Sequence, residues 1–295
     1  MIVLVATYVA LALGLYVWHL SAVVSIAILA LALTQFSSLQ HEVLHGHPLA
    51  RQWASEALVF PAMLLLIPYL RFKDTHLAHH HDPALTDPYD DPESNFMDPA
   101  VWARLSPLSQ RLLLMNNTLA GRIVLGPAIG MYYFLREDLR LLMVGARRVW
   151  LAWALNLLGA LPVFWALGIA GMPIWAYFIA VYIALGLLRI RTFLEHRAHA
   201  AHRARTVVIE DSGPLALLFL NNNFHVVHHM HPSTAWYDLP KLYKSKRDHY
   251  LRRNEGYRYK NYAEVFSRYF WRAKDPVSHP IWPVAKESPS QDDRP

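Results

Sequence analysis

The sequence predicts an all-α membrane protein, with four transmembrane helices in two hairpins beneath a cytosolic helical cap. Three observations carry that expectation. Hydrophobic residues make up 54 % of the 295 and charged residues only 17 %, a balance that suits lipid better than water as the main solvent. Two apolar blocks, 2–36 and 149–188, are each long enough for two crossings at about 17–20 residues apiece. Lys and Arg are absent from the turns at 19–21 and 168–173 but crowd the segments that follow each block.

Taken in order, residues 2–18 (IVLVATYVALALGLYVW) carry no charge, and 22–36 continue apolar after His19 and Ser21. Helices are expected over 2–18 and 21–40. No Lys or Arg precedes the first run and the hydrophobicity does not stop after one short core, so a cleaved signal peptide is disfavoured. Residues 57–70 (ALVFPAMLLLIPYL) are too short to span and hold Pro61 and Pro68. They read as a re-entrant or interfacial segment, and 119–135, with Arg122 inside it, reads the same way. The second block is broken by GIAGMP at 168–173, which gives helices over 149–167 and 173–190.

The cationic residues set the topology. Ten of them lie between Arg51 and Arg148, and Arg189, Arg191 and Arg197 follow the last apolar run. The positive-inside rule then puts 41–148, 191–285 and both termini in the cytoplasm, as a multi-pass protein of a bacterial inner membrane. Residues 1–285 are expected as a single domain, with a disordered tail, KESPSQDDRP, at 286–295.

Composition also excludes. With no Cys there are no disulfides, thiolate metal sites, Fe–S clusters or thiol nucleophile. A net charge of +6 without a basic cluster beyond the membrane flanks, or a groove-reading motif, disfavours nucleic acid. No Gly-rich flavin or nicotinamide fingerprint occurs.

The 17 His are unevenly placed. HEVLH (41–45) continues the second predicted helix out of the membrane. HLAHHHD (76–82) follows the short apolar segment. EHRAHAAH (195–202) follows the fourth helix, and NNNFHVVHH (221–229) follows another apolar run. On a helix, residues three or four apart share a face. His41 with His45, His76 with His79 or His80, and His225 with His228 or His229 can therefore share an ion. Adjacent imidazoles point about 100° apart, so one helix can serve two ions. With His196 this makes nine imidazoles for a His-rich dimetal site. Imidazole suits Fe, Zn, Cu and Ni alike, and the ligand type alone does not choose the metal. His19, His249 and His279 read as ordinary residues. His47, His81, His199, His202 and His231 read as non-ligands that support the site, line its rim or touch substrate.

In order and placement, HEVLH, HLAHH, FLEHR and HVVHH resemble the histidine boxes of the membrane fatty acid desaturase superfamily, over about residues 20–240. TDPYDDPES, VIEDSGPLALLFLNNNFH and HPSTAWYDLPKLY look like a compact bacterial subgroup that includes rhizobitoxine-type desaturases. The resemblance implies four transmembrane helices under a cytosolic cap. It also implies two Fe ions that activate O2, held by His41, His45, His76, His79, His80, His196, His225, His228 and His229. The activity implied is O2-dependent oxidation of an unactivated C–H bond in a lipid-like substrate, most simply desaturation of a fatty acyl chain. Hydroxylases and ketolases of carotenoids and alkanes share these ligands and stay open as readings. A metal transporter is a distant third, because the crossings hold almost no polar group but Asn156.

Ligating imidazoles give their second N–H to carboxylates or carbonyls. By proximity Glu42, Asp82, Asp87, Glu195 and Asp211 are candidates for that role. Asn222 and Asn223, in the triple Asn 221–223, read either as a helix cap or as an amide near the metal. TDPYDDPES lacks the Gly turn and terminal Glu of a calcium loop and reads as a rigid extended connection. Electrons must come from an external carrier, a ferredoxin or cytochrome b5-like protein, for which the basic stretch 241–260 is the candidate docking face.

Overall fold

In the computed structural model, which describes residues 1–282, the chain is mostly helical and the apolar blocks form two helical hairpins. The first is α1 (Ile2–Val17) and α2 (Ala22–Leu44). α1 turns Leu4, Thr7, Leu11 and Gly14 inward, the three- and four-residue spacing of one helix face. Gly14 allows the closest approach: a Cβ there would lie 2.7 Å from Leu29 Cγ, and Ser25 Oγ donates to the Gly14 carbonyl at 2.7 Å. Small residues and a hydroxyl at a helix contact are how apolar helices associate without water to drive them.

Short helices α3 (Gln52–Ala57) and α4 (Tyr69–His79) come next, then α5 (Pro99–Arg104), α6 (Pro107–Asn116), α7 (Leu119–Val124) and α8 (Gly126–Met143). The second hairpin is α9 (Arg147–Ile169) and α10 (Ile174–Thr192), joined at Gly171 with φ +58°. Beyond it lie α11 (Pro214–Leu218), α12 (His225–Met230), α13 (Leu239–Ser245), α14 (Arg247–Arg253) and α15 (Tyr262–Tyr269). The expected tail at 286–295 lies outside the described residues.

Three helices, α2, α9 and α10, are long and apolar enough to cross a bilayer. The fourth predicted crossing, α1, has 16 residues, roughly 24 Å of helix against a hydrocarbon core of about 30 Å. Leu157, Leu161, Phe164 and Trp165 of α9 and Trp175 and Ile179 of α10 remain exposed, an apolar belt far larger than a water-soluble surface carries. α2 runs four residues past its predicted end at 40, because 36–44 are buried against the rest of the chain.

Residues 58–68 form no helix and are folded inside, with Val59, Leu64 and Leu65 buried. Non-helical backbone at this depth requires internal partners for its carbonyls, and the helices supply them. Tyr8 Oη donates to Leu58 O (2.7 Å), Tyr177 Oη to Met63 O (2.8 Å) and Asn156 Nδ2 to Leu65 O (2.6 Å), while Ala62 N donates to Gly159 O (2.9 Å). The one deep polar residue noted in the crossings is thus a clamp for the loop. Replacing Asn156 with Leu strands the Leu65 carbonyl and is expected to cost about 1–3 kcal/mol, read as a lower unfolding midpoint in detergent. An unchanged midpoint would mean that the carbonyl finds another donor. The other segment read as re-entrant, 119–135, is instead helical, broken between Val124 and Gly126.

One departure from an all-α fold matters for the site. Residues 205–209 form a strip that is extended from Thr206 onward. Val207 N donates to Glu195 O and Arg197 N to Arg205 O, while Val226 N donates to Val207 O and Ile209 N to Asn223 O. The end of this strip, β1 (Val208–Ile209), pairs in parallel with β2 (Arg258–Tyr259). It ties the segment after α10 to the start of α12.

Candidate metal centre

Four separate pieces of backbone bring the imidazoles together. The last turn of α2 carries His41 and its C-cap is His45; the last turn of α4 carries His76 and His79, with His80 as C-cap. His196 lies on the backbone paired with the 205–209 strip, opposite Thr206. α12 is a helix of only six residues and presents His225, His228 and His229. Its position depends on burial of Val226 and Val227, 1 % and 0 % exposed, more than on helix propensity.

The imidazoles form two groups. His41, His45, His76 and His228 offer one nitrogen each within 4.8 Å of one another, and His79, His196, His225 and His229 do the same. His80 adjoins the first group, its Nε2 3.0 Å from His76 Nε2 and 3.1 Å from His228 Nε2. Each His-x-x-His-His unit is therefore shared. The residues four apart, His76 with His80 and His225 with His229, stay on one side. His79 and His228 cross to the other.

The far nitrogens are held from outside. His76 Nδ1 lies 3.0 Å from Glu93 Oε1, His79 Nδ1 2.7 Å from Asp91 Oδ1, and His225 Nδ1 3.1 Å from Asn222 Oδ1. A carboxylate only accepts, so Nδ1 carries the proton and the Nε2 lone pair of His76 and of His79 points into the group. Asp91 also accepts from the backbone N–H of Thr86 and of Glu93. Glu195 accepts from Asn222 Nδ2 at 3.3 Å and lies 3.2 Å from Arg191 Nε.

These donors fit a metal better than they fit one another. Five Nε2–Nε2 separations fall between 2.8 and 3.2 Å. An N–H on His80 can serve His76 or His228, not both, and the buried His41 Nε2 has no hydrogen-bond partner. Buried acceptors without partners are costly; a cation among them satisfies them together. Burial, reinforced by neighbouring imidazoles, pushes the pKa of His45 down to about 3 and lowers those of His80, His196, His225 and His228. Neutral imidazole is the ligating form. At His79 burial also works against the charged form, but the Glu93 and Asp91 carboxylates outweigh it and raise the pKa to about 9. Those carboxylates demand positive charge at this point, which a proton or a metal ion supplies.

Several expected helpers sit elsewhere. His81 and His202 are exposed, and His199 lies 3.5 Å from Glu255, because the chain has left α4 and α10 before reaching them. Asn223 donates to Ile209 O and Asp211 O and so braces backbone; of the triple Asn, only Asn222 reaches a predicted ligand, and none caps a helix. Glu42 accepts from Trp236 N and is 3.9 Å from His41 Nδ1. Asp87 accepts from the backbone of 89 and 90, and Asp211 from that of 213 and 262. The side chain of Asp82 lies outside those described. Asp91 and Glu93 were missed, having been read as part of a plain connecting loop. The available signal was the Asp91-Pro92-Glu93 triplet in the acidic loop that follows the histidine unit ending at His81.

The family model of fatty acid desaturases matches residues 2–261, which includes both hairpins and all nine histidines. The chain belongs to the fatty acid desaturase family. No curated protein matches it. As a family member the chain is an oxidoreductase, and with its three apolar helices it is a membrane protein. Its two histidine groups are compatible with bound metal.

Proposed function

We propose that this protein is a membrane di-iron enzyme that uses O2 to desaturate an aliphatic chain, with both ends of the polypeptide and the metal centre on the cytoplasmic side. The observation that carries the reading is the pair of four-imidazole groups, each within ligating reach of one ion. His41, His45, His76, His80 and His228 would hold one iron and His79, His196, His225 and His229 the other. All-nitrogen ligation by neutral imidazole is within the range of iron chemistry.

When bound, the irons would supply reductive activation of O2: two electrons from a donor, two protons from solvent and two hydrogens from adjacent carbons together reduce one O2 to two waters and leave an alkene. The protein's own residues do the rest. Asp91, Glu93 and Asn222 fix ring orientation through Nδ1. Burial of His76, His79, His225 and His228 to 1–2 % exposure keeps bulk water from the reacting side. α1, a shorter apolar helix packed on α2, is proposed as the fourth crossing.

Metal analysis of the purified protein is expected to give about two irons per chain, and lipid and metabolite profiling of expressing cells an alkene that a His-substituted control lacks. An alcohol or ketone as sole product would replace desaturation with the hydroxylase or ketolase reading. Absence of bound metal would end both.

Electrons are proposed to arrive from a small acidic ferredoxin or cytochrome b5-like donor. Arg247 and Arg258 are tied to Glu210, but Lys241, Lys244, Lys246 and Arg252 remain exposed on α13 and α14. Reversing the three lysines to Glu is expected to slow reduction roughly tenfold or more and to flatten its dependence on salt. Unchanged rates and salt dependence in stopped-flow reduction would remove this face as the dock.

A further inference from the structure

A cavity of about 920 Å³ opens beside the second histidine group, at the upper end of the range for small-molecule sites. His79 and His196 line one part of it and Leu64, Ile67, Phe134 and Leu188 another, and four arginines and six carboxylates are among its other lining residues. Two of those arginines are matched. Arg71 pairs with Asp138 at 2.8 Å, and Arg191 with Glu195 at 3.2 Å. The cavity's other acids near the metal groups are also committed, Asp91 to His79 and Glu93 to His76.

Arg122 and Arg189 are different. Arg122 is 7 % exposed, and its three nitrogens donate to Asn116 O, Asn95 Oδ1 and Asn117 Oδ1, all neutral acceptors. A guanidinium has five N–H donors, so two remain and no carboxylate touches it. Arg189 makes no hydrogen bond or ion pair among the described residues; Glu93 and Glu195 act on it only through space. Its Nη2 lies over Gly130, where a Cβ would come within 2.2 Å. Burial and the Arg189 charge both lower the Arg122 pKa, a cost that a bound anion relieves. An all-hydrocarbon ligand would leave the spare guanidinium N–H groups of both arginines unmatched.

We infer that Arg122 and Arg189 are the anion-binding end of the reaction cavity, and that the substrate is a compact aliphatic molecule whose carboxylate or phosphate enters the protein. This rests on the reading of the histidine groups as the oxidising centre. The planar fork of Arg matches the paired oxygens of either anion. With one end anchored at the arginines and His79 and His196 lining the same cavity, the carbon to be oxidised is counted from the anionic end.

The test is equilibrium binding of octanoate, octyl phosphate and 1-octanol to the iron-loaded protein in lipid nanodiscs, corrected for partition into empty discs. One or both anions are expected to bind at least tenfold tighter than the alcohol, and which one does so names the head group. Arg189→Gln is expected to erase that preference while iron content stays at the wild-type level. Gly130→Val, which displaces the guanidinium without removing its charge, is expected to weaken it several-fold. Equal binding of anions and alcohol by the wild type, or a preference that survives Arg189→Gln, overturns the inference. Failure to load iron in the wild type would instead count against the oxidising centre, and is read separately by metal analysis.

Discussion

Replacing His228 with Ala is expected to leave the protein with about one iron where the proposed centre would hold two, and with no measurable turnover. His228 is the point where α12 crosses from the second group to the first. Its Nε2 is 3.1 Å from His80 Nε2, and its ring centre is 4.7 Å from that of His41 and 4.6 Å from that of His45. No other residue of α12 is in that group. Without it the first iron keeps ligands from α2 and α4 only and loses its tie to the 205–209 strip. The loss should exceed the roughly 10–100-fold effect of removing an outer hydrogen-bond partner. Metal content and product formation on the same preparation check this, with a thermal melt to establish that the fold survives. Two irons and full turnover in the variant would remove His228 from the site.

The variant also tests how far local sequence predicts a site. The spacing of 76–80 and 225–229 announced shared faces, since a three- or four-residue interval has a fixed meaning on a helix. It left open which histidines pair, because both intervals satisfy that rule. The structure resolves the choice for packing reasons: α4 and α12 approach so that the four-apart pairs stay together and the middle residue crosses. The hairpins were legible for the same local reason, apolar runs of sufficient length. Residues 58–68 were only half legible. Two prolines said that no helix would cross there, but the donors that hold the loop, Tyr8, Asn156 and Tyr177, come from 50 to 114 residues away. The strip at 205–209 gave no strand signal, since its partners are single backbone groups on either side and not a second long strand. For His199 and His202 sequence proximity to His196 gave no direction, because α10 has ended at Thr192 before they are reached.

Asp91→Asn is expected to lower iron affinity at the second group about 10–100-fold, the usual effect of losing an outer partner, while the first group keeps its metal. Asp91 Oδ1 accepts from His79 Nδ1 at 2.7 Å and from Glu93 N at 2.9 Å, and Oδ2 accepts from Thr86 N at 2.8 Å. Both oxygens face donors, so an amide has no good orientation. With its oxygen toward His79, its NH2 meets the Thr86 N–H. Turned over, its NH2 meets His79 Nδ1 and forces that ring to put its proton on Nε2, where no metal can bind. The matched variant Glu93→Gln removes the direct partner of His76 and should weaken the first group more than the second, where Glu93 lies 3.9 Å from His79. Iron titration of the two apoproteins separates these outcomes, because a different group is weakened most in each. If Asp91→Asn binds both irons as the wild type does, the carboxylate is a clasp for the 86–93 turn, and the orientation of His79 is set by its burial alone.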